Sequence, residues 1–278
     1  MNRLLLIKTM QSVAFTLMVL TGVFQSAHAA EQFQPPQDIS FTAASDKSVE
    51  KYVLLLPNDF TNETPHSLMI ALHGHGSDRW QFATGDIGQA RAARDVALKY
   101  NMIYVSPDYR ARTSWMGPKA ETDVLQIVEE LKVTYRIDRI ILVGGSMGAS
   151  SSLSFAAMHP ELIHGVIAFN GTANHLEYEN YQDAIHASFG GTQQDIPEEY
   201  KRRSAEYWPE RFTMPMAITT GGKDTAVPPE SSTRLAKIVA KLNPTLLHIH
   251  RPETGHTTSY EDSLTASEYV CKHALAKK

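Results

Sequence analysis

The sequence predicts an α/β protein with a mainly parallel central sheet that helices cover on both faces. Short apolar runs alternate with segments of helical periodicity along most of the chain. Strands that are buried on both sides, as in parallel sheets, have this composition. Apolar residues make up 42% of the 278 residues, which is enough for a packed core. No internal repeat or low-complexity segment interrupts the alternation.

Seven apolar runs predict the strands, and five periodic segments between them predict the helices. The strands are expected at residues 51–56, 68–72, 102–105, 140–143, 166–169, 216–219 and 246–249. The helices are expected at residues 87–100, 121–135, 147–158, 229–242 and 258–272. The clearest helix is the second, in which Val124, Ile127, Val128 and Leu131 recur at helical spacing. Alternation of this kind favours a sheet built from strand–helix–strand units.

The N-terminal 29 residues differ in composition from the rest of the chain. They contain Arg3 and Lys8, no acidic residue, an apolar stretch over residues 13–24, and an Ala-His-Ala sequence that ends at Ala29. This pattern predicts a secretory signal peptide that is cut after Ala29. The alternative is a membrane anchor, but the apolar run is shorter than the ~18 residues that a spanning helix needs. We therefore expect a secreted or periplasmic protein without a stable membrane anchor.

The remaining chain divides into a short leader and one domain. Residues 30–48 are expected to form a loose, polar leader, and residues 49–278 the α/β domain. Residues 172–212 are polar, rich in aromatic residues and weakly periodic, and they separate two predicted strands by more than a crossover needs. They predict either an insertion that forms a small lid over the edge of the sheet, or one ordinary helix with long loops.

Charge and cysteine content exclude several classes of function. The formal net charge of −4 gives no broad basic surface for nucleic acid. The single cysteine, Cys271, excludes an intramolecular disulfide and a multi-cysteine metal site. His73 and His75 form a close pair, but no carboxylate or cysteine cluster accompanies them, so a zinc site is not predicted. We expect no metal and no cofactor.

A Gly-x-Ser-x-Gly motif lies between a predicted strand and a predicted helix. Residues 144–148 read GGSMG, directly after the run IILV and directly before the helical segment. A serine on such a turn is held in a strained conformation with its hydroxyl at the helix N-terminus. There the helix dipole and the free N–H groups favour developing negative charge. Ser146 is therefore the candidate nucleophile.

A serine nucleophile needs a base, and the base needs an acid that orients it. For a turn of this kind the acid and then the histidine should follow in loops after later strands. Asp224 comes directly after the strand-like MAIT run, and His256 comes after LLHIH. The two N–H donors of an oxyanion hole are expected from Met147, after the nucleophile, and from His75, in the loop after LMIAL.

These motifs resemble the α/β-hydrolase superfamily. His-Gly-x-Gly at 73–76, GGSMGA at 144–149, GGKDTAVP at 221–228 and Thr-Gly-His at 254–256 look most like the prolyl-oligopeptidase-type catalytic domain and its relatives among secreted single-domain esterases, including feruloyl and polyester-depolymerase-like enzymes. The resemblance implies a nucleophile, acid and base at Ser146, Asp224 and His256. The sequence departs from the peptidases in having Met147-Gly148-Ala149 where they show an aromatic residue and paired glycines.

The sequence therefore predicts a serine esterase that acts on a small-molecule or polymer-derived ester. Two alternatives remain: a serine peptidase of the same family that acts on small peptides, and a non-catalytic binding protein on a hydrolase fold. Trp115, Trp208 and Trp80 are candidates for the substrate-binding wall, because each lies near a loop at the expected edge of the sheet. Core packing is the alternative role for each tryptophan.

Overall fold

The structure is a computed structural model, and it describes residues 32–276. The predicted signal peptide therefore lies outside the described residues. Within them, eight strands form one sheet in the order β1-β2-β4-β3-β5-β6-β7-β8. The strands are β1 (Gln37–Thr42), β2 (Val49–Leu55), β3 (His66–Leu72), β4 (Ile103–Pro107), β5 (Ile137–Gly145), β6 (Gly165–Phe169), β7 (Met216–Gly221) and β8 (Leu246–Arg251).

The sheet is parallel from β4 to β8 and antiparallel at one end. β1 pairs with β2 and β2 pairs with β4 in antiparallel register, whereas the remaining neighbours run parallel. Almost every residue of β3, β4, β6 and β7 is buried. The prediction of a mainly parallel sheet that is covered on both faces is confirmed, and all seven predicted strands lie in it.

Eight α-helices cover the sheet within the described residues. They are α1 (Trp80–Ala83), α2 (Gly88–Lys99), α3 (Pro118–Thr134), α4 (Met147–Met158), α5 (Gln182–Phe189), α6 (Pro197–Arg202), α7 (Glu230–Leu242) and α8 (Tyr260–Ala274). Alternate side chains of each buried strand enter opposite cores. Thus Leu68 and Ile70 of β3 pack in the core beneath α3, α4 and α7, whereas Met69 and Ala71 pack beneath α1, α2 and α8.

Part of the segment expected to be a loose leader, Gln37–Thr42, forms strand β1. The strand sequence QDISFT turns Phe41 towards the core and leaves its polar side chains exposed. Asp38 on this strand forms an ion pair with Arg79, whose Nε lies 2.7 Å from the carboxylate. Charged, mostly polar edge strands are common because they prevent unwanted pairing. The same polarity hides β1 from an analysis of hydrophobic pattern.

Residues 172–212 fold into α5, α6 and two short 3-10 turns at Ala205–Tyr207 and Pro209–Arg211. Arg203, which is fully buried, ties this insertion to α3 through an ion pair with Glu121. Ile185 and Tyr200 bury their side chains in the same core as α3 and α4. The insertion is thus several short helices rather than the single helix of one sequence-based alternative. In residues 32–276 no helix is long and apolar enough to cross a membrane.

Candidate active site

The serine turn connects β5 directly to α4. Ser146 has φ 58° and ψ −121°, a conformation that L-residues rarely adopt. Two glycines allow the tight approach: a Cβ on Gly144 would lie 2.3 Å from the carbonyl oxygen of Gly148, and one on Gly148 would lie 2.0 Å from that of Leu72. No side chain fits at either position. The turn therefore presents the half-buried Ser146 at the N-terminus of α4.

The structure brings Ser146, His256 and Asp224 into one hydrogen-bonded chain. Nε2 of His256 lies 2.8 Å from Oγ of Ser146, and Nδ1 lies 2.7 Å from Oδ2 of Asp224. A carboxylate only accepts, so Nδ1 of the neutral imidazole carries the proton and Nε2 accepts from the serine hydroxyl. The three residues follow β5, β7 and β8, whose carboxyl ends meet at one edge of the sheet.

Asp224 is held by the backbone that follows it. Its Oδ1 accepts hydrogen bonds from the N–H groups of Ala226, at 3.0 Å, and Val227, at 2.8 Å. Its side chain is 1% exposed, against 31% for His256. The carboxylate is thus oriented by two N–H groups on one oxygen and by the imidazole on the other, which fixes the ring that faces Ser146.

A group of hydroxyl and amide side chains that the sequence did not suggest holds the loop of His256. Thr258, two residues after the histidine, donates to Oδ1 of Asn170, and its hydroxyl lies 2.6 Å from that of Thr219. Asn170 follows β6 directly and has φ 54°. Its backbone N–H bonds to the carbonyl of Thr219. The only sequence signal was an asparagine at a strand end, which is too common to indicate this role.

The two predicted oxyanion donors lie beside the serine. A Cβ built on Gly74 would be 3.8 Å from Cβ of Ser146, so the loop that continues into His75 passes next to Ser146. The N–H of Gly74 donates to Gln81 at 2.8 Å, which fixes this loop. Among hydrogen bonds of residues 32–276, none uses the backbone N–H of His75 or of Met147. The first N–H groups of a helix such as α4 have no intrahelical acceptor.

The three tryptophans do not gather around Ser146. Trp115 is fully buried and donates from Nε1 to Nδ1 of His75 at 3.2 Å, so it packs against the His75 side chain rather than forming an open wall. The guanidinium carbon of Arg211 lies over the indole of Trp208, 4.1 Å from the ring centroid. Arg211 bonds to the carbonyl of Ala157, at the far end of α4 from the serine. Trp80 packs against the core beneath α1, α2 and α8.

A polar cleft of about 400 Å³ opens beside Asp224. Its walls come from the start of the insertion, including Thr172 and Tyr178, and from the N-terminal end of α7, including Ser231. The phenol of Tyr178 donates to the carbonyl of Ala226 at 2.8 Å. The insertion therefore reaches the edge of the sheet where the hydrogen-bonded triad lies, and it forms one side of the adjoining cleft.

The parallel sheet and the strained serine turn define a serine hydrolase with the α/β-hydrolase fold. A model of the prolyl oligopeptidase family matches residues 109–274. The chain belongs to that family, as its motifs suggested. No curated protein matches the chain.

Solved structures with similar folds include peptidases and esterases. A putative dipeptidyl aminopeptidase IV from Bacteroides ovatus has a TM-score of 0.68 at 18% identity, covering 89% of this chain and 36% of its own. An S-formylglutathione hydrolase from Agrobacterium tumefaciens has a TM-score of 0.67 at 16% identity, with coverage of 86% and 94%. An esterase from Pyrococcus furiosus has a TM-score of 0.61 at 17% identity, with coverage of 87% and 93%. The chain spans only about a third of the length of the first, and at these identities the likeness shows the fold alone.

Proposed function

We propose that the protein hydrolyses carboxylic esters through an acyl-enzyme intermediate on Ser146. The observation that supports this most is the hydrogen-bonded chain from Ser146 through His256 to Asp224, with distances of 2.8 and 2.7 Å. Those distances and the inferred tautomer meet the geometric requirements of a nucleophile, a general base and an orienting acid.

The reaction follows from these contacts. Oγ of Ser146 attacks the ester carbonyl while Nε2 of His256 takes the hydroxyl proton, and Asp224 stabilises the imidazolium that forms. The N–H groups of His75 and Met147 donate to the carbonyl oxygen as it becomes an oxyanion. His256 then gives its proton to the leaving alcohol. Water, activated by the same imidazole, attacks the acyl-enzyme and releases the acid and Ser146.

Fold neighbours that are named as an esterase and as an S-formylglutathione hydrolase support an ester substrate. The substrate class we propose is a small-molecule or polymer-derived ester. The serine peptidase remains the second candidate because the family name itself describes peptidases.

A comparison of matched leaving groups tests the proposal. The wild-type protein is assayed with p-nitrophenyl acetate, with the corresponding acetyl p-nitroanilide, and with short p-nitroanilide peptides. An esterase should show kcat/KM for the ester that exceeds the amide values by several orders of magnitude. Faster cleavage of a peptide anilide would favour the peptidase. If a fluorophosphonate probe fails to label the protein and no substrate is turned over, the non-catalytic alternative replaces both.

We also propose that the protein is exported and that the mature chain begins after Ala29. The support is the sequence pattern of residues 1–29. N-terminal sequencing of protein recovered from the periplasmic or culture fraction should start at Ala30. A protein that remains full length in the cytoplasm would contradict the proposal.

A further inference from the structure

The imidazole of His75 packs beside two aromatic rings near the serine turn, and these two rings also contact each other. Its ring centroid lies 4.4 Å from that of Tyr181 and 6.0 Å from that of Trp115. Tyr181 directly precedes α5 of the insertion and is 44% exposed, whereas Trp115 has no exposed surface. Trp115 packs in turn on Tyr178, with centroids 5.4 Å apart. The ring of His75 is therefore fixed by packing as well as by its position in the loop.

A hydrogen bond selects one tautomer of this imidazole. The indole N–H of Trp115 can only donate, and it lies 3.2 Å from Nδ1 of His75. Nδ1 must therefore be unprotonated, which places the ring proton on Nε2. Burial lowers the pKa of His75 below its ordinary value of 6.5. At neutral pH the side chain is an uncharged imidazole with a single N–H donor.

That donor has no acceptor in the described part of the protein. Among residues 32–276, the bond from Trp115 is the one hydrogen bond formed by the ring of His75. Nε2 is also absent from the buried polar atoms of this region that lack a partner. The atom is therefore open to solvent. Because the neighbouring Gly74 approaches Ser146, His75 lies in the loop that passes the serine.

The backbone around Trp115 is strained, which indicates that the position is maintained by its surroundings. Trp115 and Met116 have φ of 47° and 60°, and Tyr181 has φ 54°. Bulky residues rarely adopt positive φ, because this conformation costs free energy. The carbonyl of Met116 accepts a hydrogen bond from the buried Arg203. The surrounding structure holds the indole in place against this cost.

We propose that the side chain of His75 is a specificity-determining donor that recognises a hydrogen-bond acceptor oxygen in the substrate. The preferred esters carry an ether, hydroxyl or carbonyl oxygen a few bonds from the scissile carbonyl, next to the ring of Tyr181. This role is separate from the oxyanion contact of the His75 backbone, and it rests on the proposed ester hydrolysis. The acceptor oxygen can belong to the acyl group or to the alcohol, because both groups are attached to the carbonyl that Ser146 attacks.

Two pairs of isosteric esters distinguish these sources. For the acyl side, p-nitrophenyl methoxyacetate is compared with p-nitrophenyl butyrate. For the alcohol side, 2-methoxyethyl acetate is compared with butyl acetate in a pH-stat. Selectivity is the kcat/KM of the ether-containing ester divided by that of its carbon analogue. Comparison of this ratio between variants cancels the intrinsic reactivities of the esters.

His75→Phe retains an aromatic ring and the backbone N–H but loses the donor. We expect its selectivity to fall by about threefold to tenfold relative to wild type for one of the two pairs, as for loss of one hydrogen bond. His75→Gln, which supplies an amide N–H, should recover part of that selectivity. Ratios within about twofold of wild type for both pairs would overturn the proposal, because they would leave the imidazole without a role in recognition.

The tautomer is tested independently of activity. A long-range ¹H–¹⁵N spectrum of the wild-type protein should show His75 as the Nε2–H form, and Trp115→Phe should increase the Nδ1–H form. An Nδ1–H tautomer in the wild type would overturn the proposal. If wild type hydrolyses none of the four esters, the proposed function itself fails. Hydrolysis without discrimination by His75 contradicts this inference alone.

Discussion

Glu121 on α3 is the centre of a buried ionic cluster that holds the insertion. Its Oε1 lies 2.8 Å from Nε2 of His159 and 2.6 Å from the guanidinium of Arg202, and its Oε2 lies 2.7 Å from that of Arg203. Burial alone would raise the pKa of Glu121. Hydrogen bonds from His159 and Arg202, with the charge of Arg203, outweigh burial and hold the pKa well below its ordinary range. The carboxylate is thus ionised in the folded protein at neutral pH.

Glu121→Gln should destabilise the protein strongly, because it removes one of the two carboxylates that bind the buried guanidinium of Arg203. The side chain of Arg203 has no exposed surface and that of Glu121 is 9% exposed. Removal of one partner from a buried pair costs about 3–5 kcal/mol. Arg203 keeps Glu199, 2.7 Å from its Nε, so we expect the lower end of that range, about 3 kcal/mol. For a domain of this size the melting temperature should fall by about 6–12 °C.

Urea unfolding at pH 7 measures the effect directly. Arg202→Gln is the matched control, because Arg202 binds the same carboxylate but is 44% exposed. An exposed ion pair contributes little, so the control should cost under about 1 kcal/mol. A loss of under about 1 kcal/mol in Glu121→Gln, or equal losses in the two variants, would refute the assignment of Glu121 as the centre of the cluster.

Three further predictions test other parts of the account. Gly148→Ala should lower the free energy of unfolding by at least about 3 kcal/mol or prevent folding, because its Cβ would lie 2.0 Å from a β3 carbonyl oxygen. Gly74→Ala is the control, because its Cβ meets only ordinary contacts. Equal unfolding midpoints of the two variants would contradict the packing argument. Burial raises the pKa of Asp123 from 3.8 to about 6, so the folded protein keeps a proton that the unfolded chain loses, and the free energy of unfolding falls as pH rises from about 4 to 6. Asp123→Asn should remove about 3 kcal/mol of this fall in the free energy of unfolding. Parallel stability profiles of variant and wild type over pH 4–7 would refute the assignment of the fall to Asp123. Thr258→Val should lower kcat by about tenfold with little change in KM, since it removes the shorter of two hydroxyl hydrogen bonds to Oδ1 of Asn170 and frees the loop of His256. An unchanged kcat would exclude this positioning role.

The strands and the site order could be predicted because their physical signals are local. Strands buried on both faces are continuous apolar runs, so β3 to β8 stand out from their flanking turns. The order of Ser146, Asp224 and His256 follows from where each lies after a strand, since the carboxyl ends of parallel strands meet at one edge. The hydrogen bonds between these three residues connect sites far apart in sequence.

The rest could not be predicted because it depends on tertiary contacts. The short helices α5 and α6 are stabilised by packing and by the ion pair between Arg203 and Glu121, and isolated helices of that length are unstable. β1 is a polar edge strand with little hydrophobic signal. Trp115 was expected at an open wall, but loop sequence does not indicate side-chain direction, and the positive φ at this residue accompanies a fully buried indole.

The most direct measurement of the central claim is turnover of p-nitrophenyl acetate by Ser146→Ala, with Ser152→Ala as the control. Ser152 lies on the same helix, and its hydroxyl bonds to the carbonyl of Gly148. Loss of the nucleophile should reduce kcat by about 10³-fold or more and abolish fluorophosphonate labelling, while Ser152→Ala stays within about tenfold of wild type. Turnover by Ser146→Ala within about tenfold of wild type, or labelling of that variant, would contradict the account.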